Sequence, residues 1–159
     1  MKYIIHTDGG SRGNPGPAAV GVVIEGEIIR KAASPEAGEP RLVSKWEYGE
    51  YIGETTNNEA EYRAVIFALK KLKQLVGSEK TKEAVVDFLL DSELVVRQLS
   101  GEYKIKEKGI QGFFIEVWNL KIDFGGVSFN YIPREKNKAA DKIVNQVLDK
   151  ETSPQSLTF

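Results

Sequence analysis

Three β-rich runs precede the first helical stretch, and beyond it strand-like and helical segments alternate. This order limits the fold more than any single residue does. Residues 3–8, 18–24 and 46–52 are apolar and β-prone, and the dense turn signal Gly13-Asn14-Pro15-Gly16-Pro17 separates the first two. The first run is expected to stop at Gly9-Gly10 with Asp8 at its tip, and Glu25-Gly26-Glu27 to reverse the second run into Ile28-Ile29. Residues 31–45 shift to Ala, Ser, Pro, Gly and charge, and read as a loop or hairpin excursion without an assigned role. Thr55 or Thr56 can cap a long helix reaching about Val76, because Glu61, Val65, Ala68, Leu69 and Leu72 share one face and Gly77-Ser78 stops the pattern. A buried strand over 84–90 ends at Asp91, and Ser92 can cap a short helix over 93–99. A charged connector, a helix over 110–122, a strand over 127–132 and a helix over 137–148 follow. The order β-β-β-α-β-α-α-β-α predicts an α/β fold: a five-stranded mixed sheet, three antiparallel strands then two parallel ones, with helices on both faces.

Composition narrows the function. The 159 residues suit one domain, and the net charge of −1 means that any nucleic-acid affinity must come from a local patch. With no cysteine, disulfides, thiolate metal sites and cysteine nucleophiles are excluded. The longest charge-free run, residues 13–24, falls far short of the ~20 residues needed to span a bilayer. The amino terminus carries no signal-like stretch, so the expected location is cytoplasmic, with no membrane partner.

Four carboxylates stand where an open α/β sheet presents ligands, at strand ends and adjacent helix starts. Asp8 and Asp91 end strands, Glu61 heads the apolar stripe of the long helix, and Asp141 lies on a face with Val144 and Leu148 in the last one. Glu61 and Asp141 should therefore point inward. Four inward acids at one sheet edge repel one another and resist ionisation unless divalent cations neutralise them. An all-oxygen donor set favours Mg²⁺ or Mn²⁺ over zinc, and two such ions roughly 3.5–4 Å apart are the usual device for in-line phosphoryl transfer.

Four motifs in order carry a family resemblance: Thr7-Asp8-Gly9-Gly10-Ser11-Arg12-Gly13-Asn14-Pro15-Gly16-Pro17, Thr55-Thr56-Asn57-Asn58-Glu59-Ala60-Glu61, Leu90-Asp91-Ser92, and Pro133-Arg134-Glu135-Lys136-Asn137-Lys138-Ala139-Ala140-Asp141. Over residues 1–150 the chain resembles the type 1 ribonuclease H family, in the form without a basic extension. The resemblance implies a ribonuclease H-like sheet and an endoribonuclease that hydrolyses the RNA strand of RNA/DNA hybrids, leaving 5′-phosphate and 3′-hydroxyl ends. It implies a catalytic tetrad of Asp8, Glu61, Asp91 and Asp141 holding two Mg²⁺ or Mn²⁺ ions. Asp8 would bridge them, Asp141 would serve the ion beside the attacking water, and Glu61 and Asp91 the other. Glu59 precedes Glu61 by about 200° of helix and is expected to face away. Gly9, Gly10, Ser11, Asn14, Asn57, Asn58 and Ser92 resemble the family's nucleic-acid-binding residues, and Thr56 the residue gripping a DNA-strand phosphate. Helix capping is the duller reading of Thr56, Asn57 and Asn58. The rival readings are a non-catalytic hybrid-binding module, disfavoured by the retention of all four acids, and another nuclease of the same fold, disfavoured by the Thr-Asn-Asn segment.

The chain departs from the family pattern at several points. Its loop before the last helix has Arg134 where many members carry a histidine; Arg134 can assist electrostatically but not as a base. The single histidine, His6, shares a strand face with Asp8 and is expected to be a hydrogen-bonded core residue, or else a partner standing behind the metal-holding acids. Lys104, Lys106 and Lys108 line a phosphate path beside a stacking Tyr103, or belong to a solvated connector. Residues 151–159 read as a flexible tail whose Gln155, Leu157 and Phe159 resemble peptides that dock on replication sliding clamps. A monomer is expected.

Overall fold

A computed structural model describes residues 1–29 and 41–152. Strands β1 (Lys2–Ser11), β2 (Gly16–Ile29), β3 (Arg41–Thr55), β4 (Val85–Leu90) and β5 (Gly126–Tyr131) form one sheet in the order β3-β2-β1-β4-β5. The first three pair antiparallel, and β4 lies parallel to both β1 and β5. The helices are α1 (Asn57–Val76), α2 (Glu93–Leu99), α3 (Lys108–Ile122) and α4 (Lys138–Thr152). This is the mixed, helix-flanked sheet that the element order predicts.

Two apolar clusters occupy the two faces. On one, Ile5, Val22, Ile24, Phe88 and Leu90 pack against Tyr62, Val65, Leu69 and Leu72 of α1 together with residues of α2 and α3. Each such aliphatic side chain contributes about 1.5–3 kcal/mol on burial, so this cluster dominates the stability. On the other face, Val144 and Leu148 of α4 pack over Ala19. Small residues let α4 press close there: a Cβ on Gly21 would fall 2.4 Å from the Ala140 carbonyl oxygen. Among the described residues, no helix is long and apolar enough to cross a membrane.

Two expected turns are strand interior. The first run does not stop at Gly9-Gly10; β1 continues to Ser11, with Gly9 opposite Val20. Nor does the second run reverse at Glu25-Gly26-Glu27, since β2 continues through it and Gly26 pairs with Tyr3 on one side and Ser44 on the other. A Cβ on Gly26 would lie 2.7 Å from the Tyr3 ring, so this glycine makes room for an aromatic across the strand pair. Residues 41–45 of the expected excursion are strand, and β3 is correspondingly longer than the 46–52 core. Segment 31–40 lies outside the described residues. His6 is half-buried, not a core residue, and burial lowers its pKa, with Glu25 raising it and Lys45 lowering it further. The helix α4 runs past residue 148 to Thr152, and the tail residues 153–159 lie outside the described residues.

Candidate active site

Asp8 sits in β1 two residues beyond the last pairing of that strand with β4, His6 with Leu89, and Asp91 follows directly on the end of β4. Glu61 begins the second turn of α1, which Thr56 caps by accepting the Glu59 N–H. The apolar stripe below it is fully buried, so this carboxylate is drawn to the sheet with the rest of its face and keeps only 8% of its surface exposed. One oxygen from each of Asp8, Glu61 and Asp91 lies within 4.8 Å of the others. Asp141, in the first turn of α4, lines the same pocket and acts on Asp8 through its charge and a side-chain hydrogen bond.

Backbone proximity positions Glu61. A Cβ on Gly9 would fall 2.2 Å from the Ala60 carbonyl carbon and 2.5 Å from the Glu61 nitrogen, so only glycine lets β1 run this close under α1. The Gly9 backbone also favours the charged form of the Glu61 carboxylate, against the larger effect of burial. Glu59 faces away as expected, accepting the Thr55 hydroxyl.

Burial, followed by the charges of Asp91 and Asp141, pushes the Asp8 carboxyl up to about 7. Burial, then Asp8 and Asp91, raises Glu61 well above the ordinary carboxylate range. A buried Glu61 oxygen has no hydrogen-bond partner among the described residues. Convergent carboxylates that resist ionisation, one with an orphaned buried oxygen, are what a hard divalent cation would satisfy. The donor set therefore fits such a cation.

The pocket, of about 430 Å³, is lined by Asp8, Gly9, Gly10, Ser11, Asn57, Asn58, Glu61, Asp91, Ser92, Arg134 and Asp141, joined by Arg12, Val144, Asn145 and Leu148. Asn14 stands beside this lining, its side-chain oxygen accepting the Asn57 N–H at 3.1 Å, whereas Thr56 serves as the α1 cap outside it. Ser92 caps α2, accepting the Val95 N–H at 3.3 Å. Arg134 lies exposed in the short turn Arg134–Lys136 before α4. Tyr103 is half exposed, with the Arg97 guanidinium 5.4 Å above its ring.

Sequence reasoning missed Asn137. Asn137, 1% exposed, donates its side-chain amide to the Thr7 carbonyl at 2.9 Å and to Asp91 Oδ2 at 3.2 Å, and its backbone carbonyl accepts the Asp141 N–H. It thus links β1, Asp91 and the start of α4. The available signal was an asparagine four residues before Asp141 where a helix begins.

A 3-2-1-4-5 mixed sheet with an acid-lined pocket where β1, β4, α1 and α4 meet is the ribonuclease H-like architecture. The reverse transcriptase-like family matches residues 6–147. LC11-RNase H1, isolated from compost by a metagenomic approach and solved in complex with an RNA/DNA hybrid, is 41% identical. That alignment covers 95% of this chain and 99% of the other, with a TM-score of 0.78. Ribonuclease HI of Halobacterium salinarum is 34% identical over 142 residues, 89% of this chain and 62% of that protein. The bifunctional protein Rv2228c of Mycobacterium tuberculosis is 34% identical over 94% of this chain, which spans only 36% of that relative's length. The chain belongs to the reverse transcriptase-like family and, within it, to the type 1 ribonucleases H.

Proposed function

We propose that the chain is an endoribonuclease that hydrolyses the RNA strand of RNA/DNA hybrids, with residues 1–150 as its catalytic domain. The observation that carries this reading is the convergence of Asp8, Glu61 and Asp91 in a pocket shared with Asp141. A relative 41% identical over nearly its full length was solved with such a hybrid, which supports the substrate class.

Asp8, Glu61, Asp91 and Asp141 would hold Mg²⁺ or Mn²⁺, two ions in all. When bound, these supply charge neutralisation at the scissile phosphate and a more acidic water. Asp8 and Glu61 are costly to ionise in their buried setting, so the site is built to be completed by positive charge. Gly9 lets the backbone that carries Glu61 lie against β1, and Asn137 orients Asp91 through its side-chain amide. Attack of a water oxygen on phosphorus forms one P–O bond as the P–O3′ bond breaks and O3′ takes up a proton, leaving a 5′-phosphate on one fragment and a 3′-hydroxyl on the other. Arg134 adds positive charge at the rim and cannot act as a base.

Hybrid selectivity is assigned to Gly9, Gly10, Ser11, Asn14, Asn57, Asn58 and Ser92. RNA is told from DNA by its 2′-hydroxyls in a wide, shallow minor groove, and small polar side chains beside backbone N–H groups suit that surface. Ser11 N–H donates to Asn57 Oδ1 at 2.9 Å, and Asn57 N–H donates to Asn14, so the three are held as one unit before substrate arrives. Thr56, at the N-terminus of α1, would grip a DNA-strand phosphate, since such a terminus favours anions.

The test is incubation of one labelled RNA/DNA hybrid and one RNA/RNA duplex with the full chain, with Mg²⁺ or Mn²⁺ and with chelator. Cation-dependent cleavage of the hybrid to 5′-phosphate ends supports the reading; binding of the hybrid without cleavage overturns it in favour of a binding module. We further propose a cytoplasmic monomer that removes primer or transcription-derived RNA. Gln155, Leu157 and Phe159 are proposed to dock on a sliding clamp. Clamp recovery by the full chain but not by one ending at Glu151 supports that docking, and equal recovery removes it.

A further inference from the structure

We infer that Arg12 is a positioning residue that latches the substrate-binding turn to α4, an inference that rests on the proposed cleavage of hybrids. Residues 11–17 reverse the chain between β1 and β2, closed by the Arg12 N–H donating to the Pro17 carbonyl at 2.8 Å. One side of the turn is tied to α1 through Ser11, Asn14 and Asn57. The other side is tied to α4 by the Arg12 side chain. The Arg12 guanidinium donates to the Asn145 carbonyl at 3.5 Å, to Asp149 Oδ1 at 2.5 Å and to Thr152 Oγ1 at 3.3 Å.

These acceptors recur at i, i+4 and i+7, one stripe of the helix, and a planar fork of donors suits three acceptors in a row. Thr152 donates its own hydroxyl to the Leu148 carbonyl at 2.7 Å, which leaves its oxygen turned to accept. The turn thereby spans the helix that carries Glu61 and the helix that carries Asp141. Arg12, Asn145 and Leu148 also extend the acidic pocket on its α4 side, so the latch forms part of the wall along which the strand would lie.

An arginine at a nuclease rim invites a second role, direct contact with a phosphate. The geometry favours the latch, because both terminal nitrogens are already engaged and a phosphate would have to displace the Asp149 carboxylate. The two roles diverge under substitution of the acceptor. Asp149→Asn weakens a latch but frees a phosphate ligand.

The experiment compares wild type, Arg12→Ala, Arg12→Lys, Asp149→Asn and the double variant Arg12→Ala/Asp149→Asn in steady-state hybrid cleavage with Mg²⁺, together with hybrid binding across salt concentrations. Arg12→Ala is expected to raise KM about 5- to 10-fold with kcat within about twofold, the scale of one exposed ion pair plus its neighbouring hydrogen bonds. Asp149→Asn shifts KM in the same direction, the double variant is no worse than Arg12→Ala, and Arg12→Lys recovers part of the loss. The salt slope stays that of wild type, because no phosphate contact is removed. Tighter hybrid binding by Asp149→Asn overturns the latch, as does a slope shallower by about one phosphate in Arg12→Ala. Absence of cleavage by wild type defeats the function itself. The latch then reads separately from amide exchange: Arg12→Ala must speed exchange over residues 11–17 while α1 stays protected, and unchanged exchange there overturns it.

Discussion

Replacing Asp8 by Asn should make the cation-free protein more stable at neutral and alkaline pH while destroying its site. In the fold, the Asp8 carboxyl is pushed from an ordinary 3.8 up to about 7 by burial and by its acidic neighbours. Between those values the folded protein keeps a proton that the unfolded chain has lost, so stability falls as pH rises and levels off above about 7. At about 1.4 kcal/mol per pH unit the full displacement corresponds to a ceiling of about 4 kcal/mol, and solvent in the open pocket lowers it to about 2–4 kcal/mol. Asparagine is nearly isosteric and does not ionise, and its neutrality also relieves Glu61 and Asp91. Thermal unfolding followed by circular dichroism in chelator, from pH 4 to 9, reads this directly. At pH 8, Asp8→Asn should melt about 5–10 °C above wild type, and at pH 4 the two should coincide. Added Mg²⁺ should raise the wild-type midpoint at pH 8 and leave the variant nearly unmoved. An Asp8→Asn melting curve that matches wild type at every pH in chelator would falsify the claim that these acids repel one another in the fold.

Gly9→Ala should cost about 2–4 kcal/mol in chemical denaturation, because its methyl group would meet the Ala60 carbonyl at a distance that requires α1 to move. Asn137→Ala should lower hybrid cleavage about 10- to 100-fold with the fold retained, as loss of the amide frees Asp91 to reorient; a variant as active as wild type would remove its positioning role. Arg134→Ala should reduce the rate less than Asp91→Asn does, and equal inactivation in a side-by-side assay would reverse that ranking. Hybrid binding should weaken with salt as for fewer than about eight phosphates, since the chain carries no basic extension; a steeper slope in a fluorescence titration would contradict this.

The acids were legible because amphipathic periodicity is local. An acid at the head of the stripe Val65, Ala68, Leu69 and Leu72 has to turn inward with that stripe, and Asp141 shares a face with Val144 and Leu148 in the same way. The caps Thr56 and Ser92 were legible for a similar reason, since each bonds a residue three positions on. What the sequence hid depends on pairing across the chain. Gly26 and Gly9-Gly10 look like turns when only neighbours in sequence are considered. A Tyr3 ring in the next strand accounts for the small size of Gly26 and the backbone of α1 for that of Gly9, while a Cβ on Gly10 would meet only the Val144 side chain, at 3.5 Å. Asn137 escaped notice because the groups it joins, Thr7 and Asp91, lie 130 and 46 residues away. Arg12 reaches across 137 residues to Asp149, beyond the range of any periodicity.

The most direct measurement is the single-turnover rate of hybrid cleavage at saturating Mg²⁺ for wild type beside Asp8→Asn, Glu61→Gln, Asp91→Asn and Asp141→Asn, each checked for folding. Carboxylates acting as one cation-holding unit predict that every variant loses about 100-fold or more, with no variant rescued by further Mg²⁺. Cleavage at the wild-type rate by any one of the four variants would contradict a shared site and leave only a common fold.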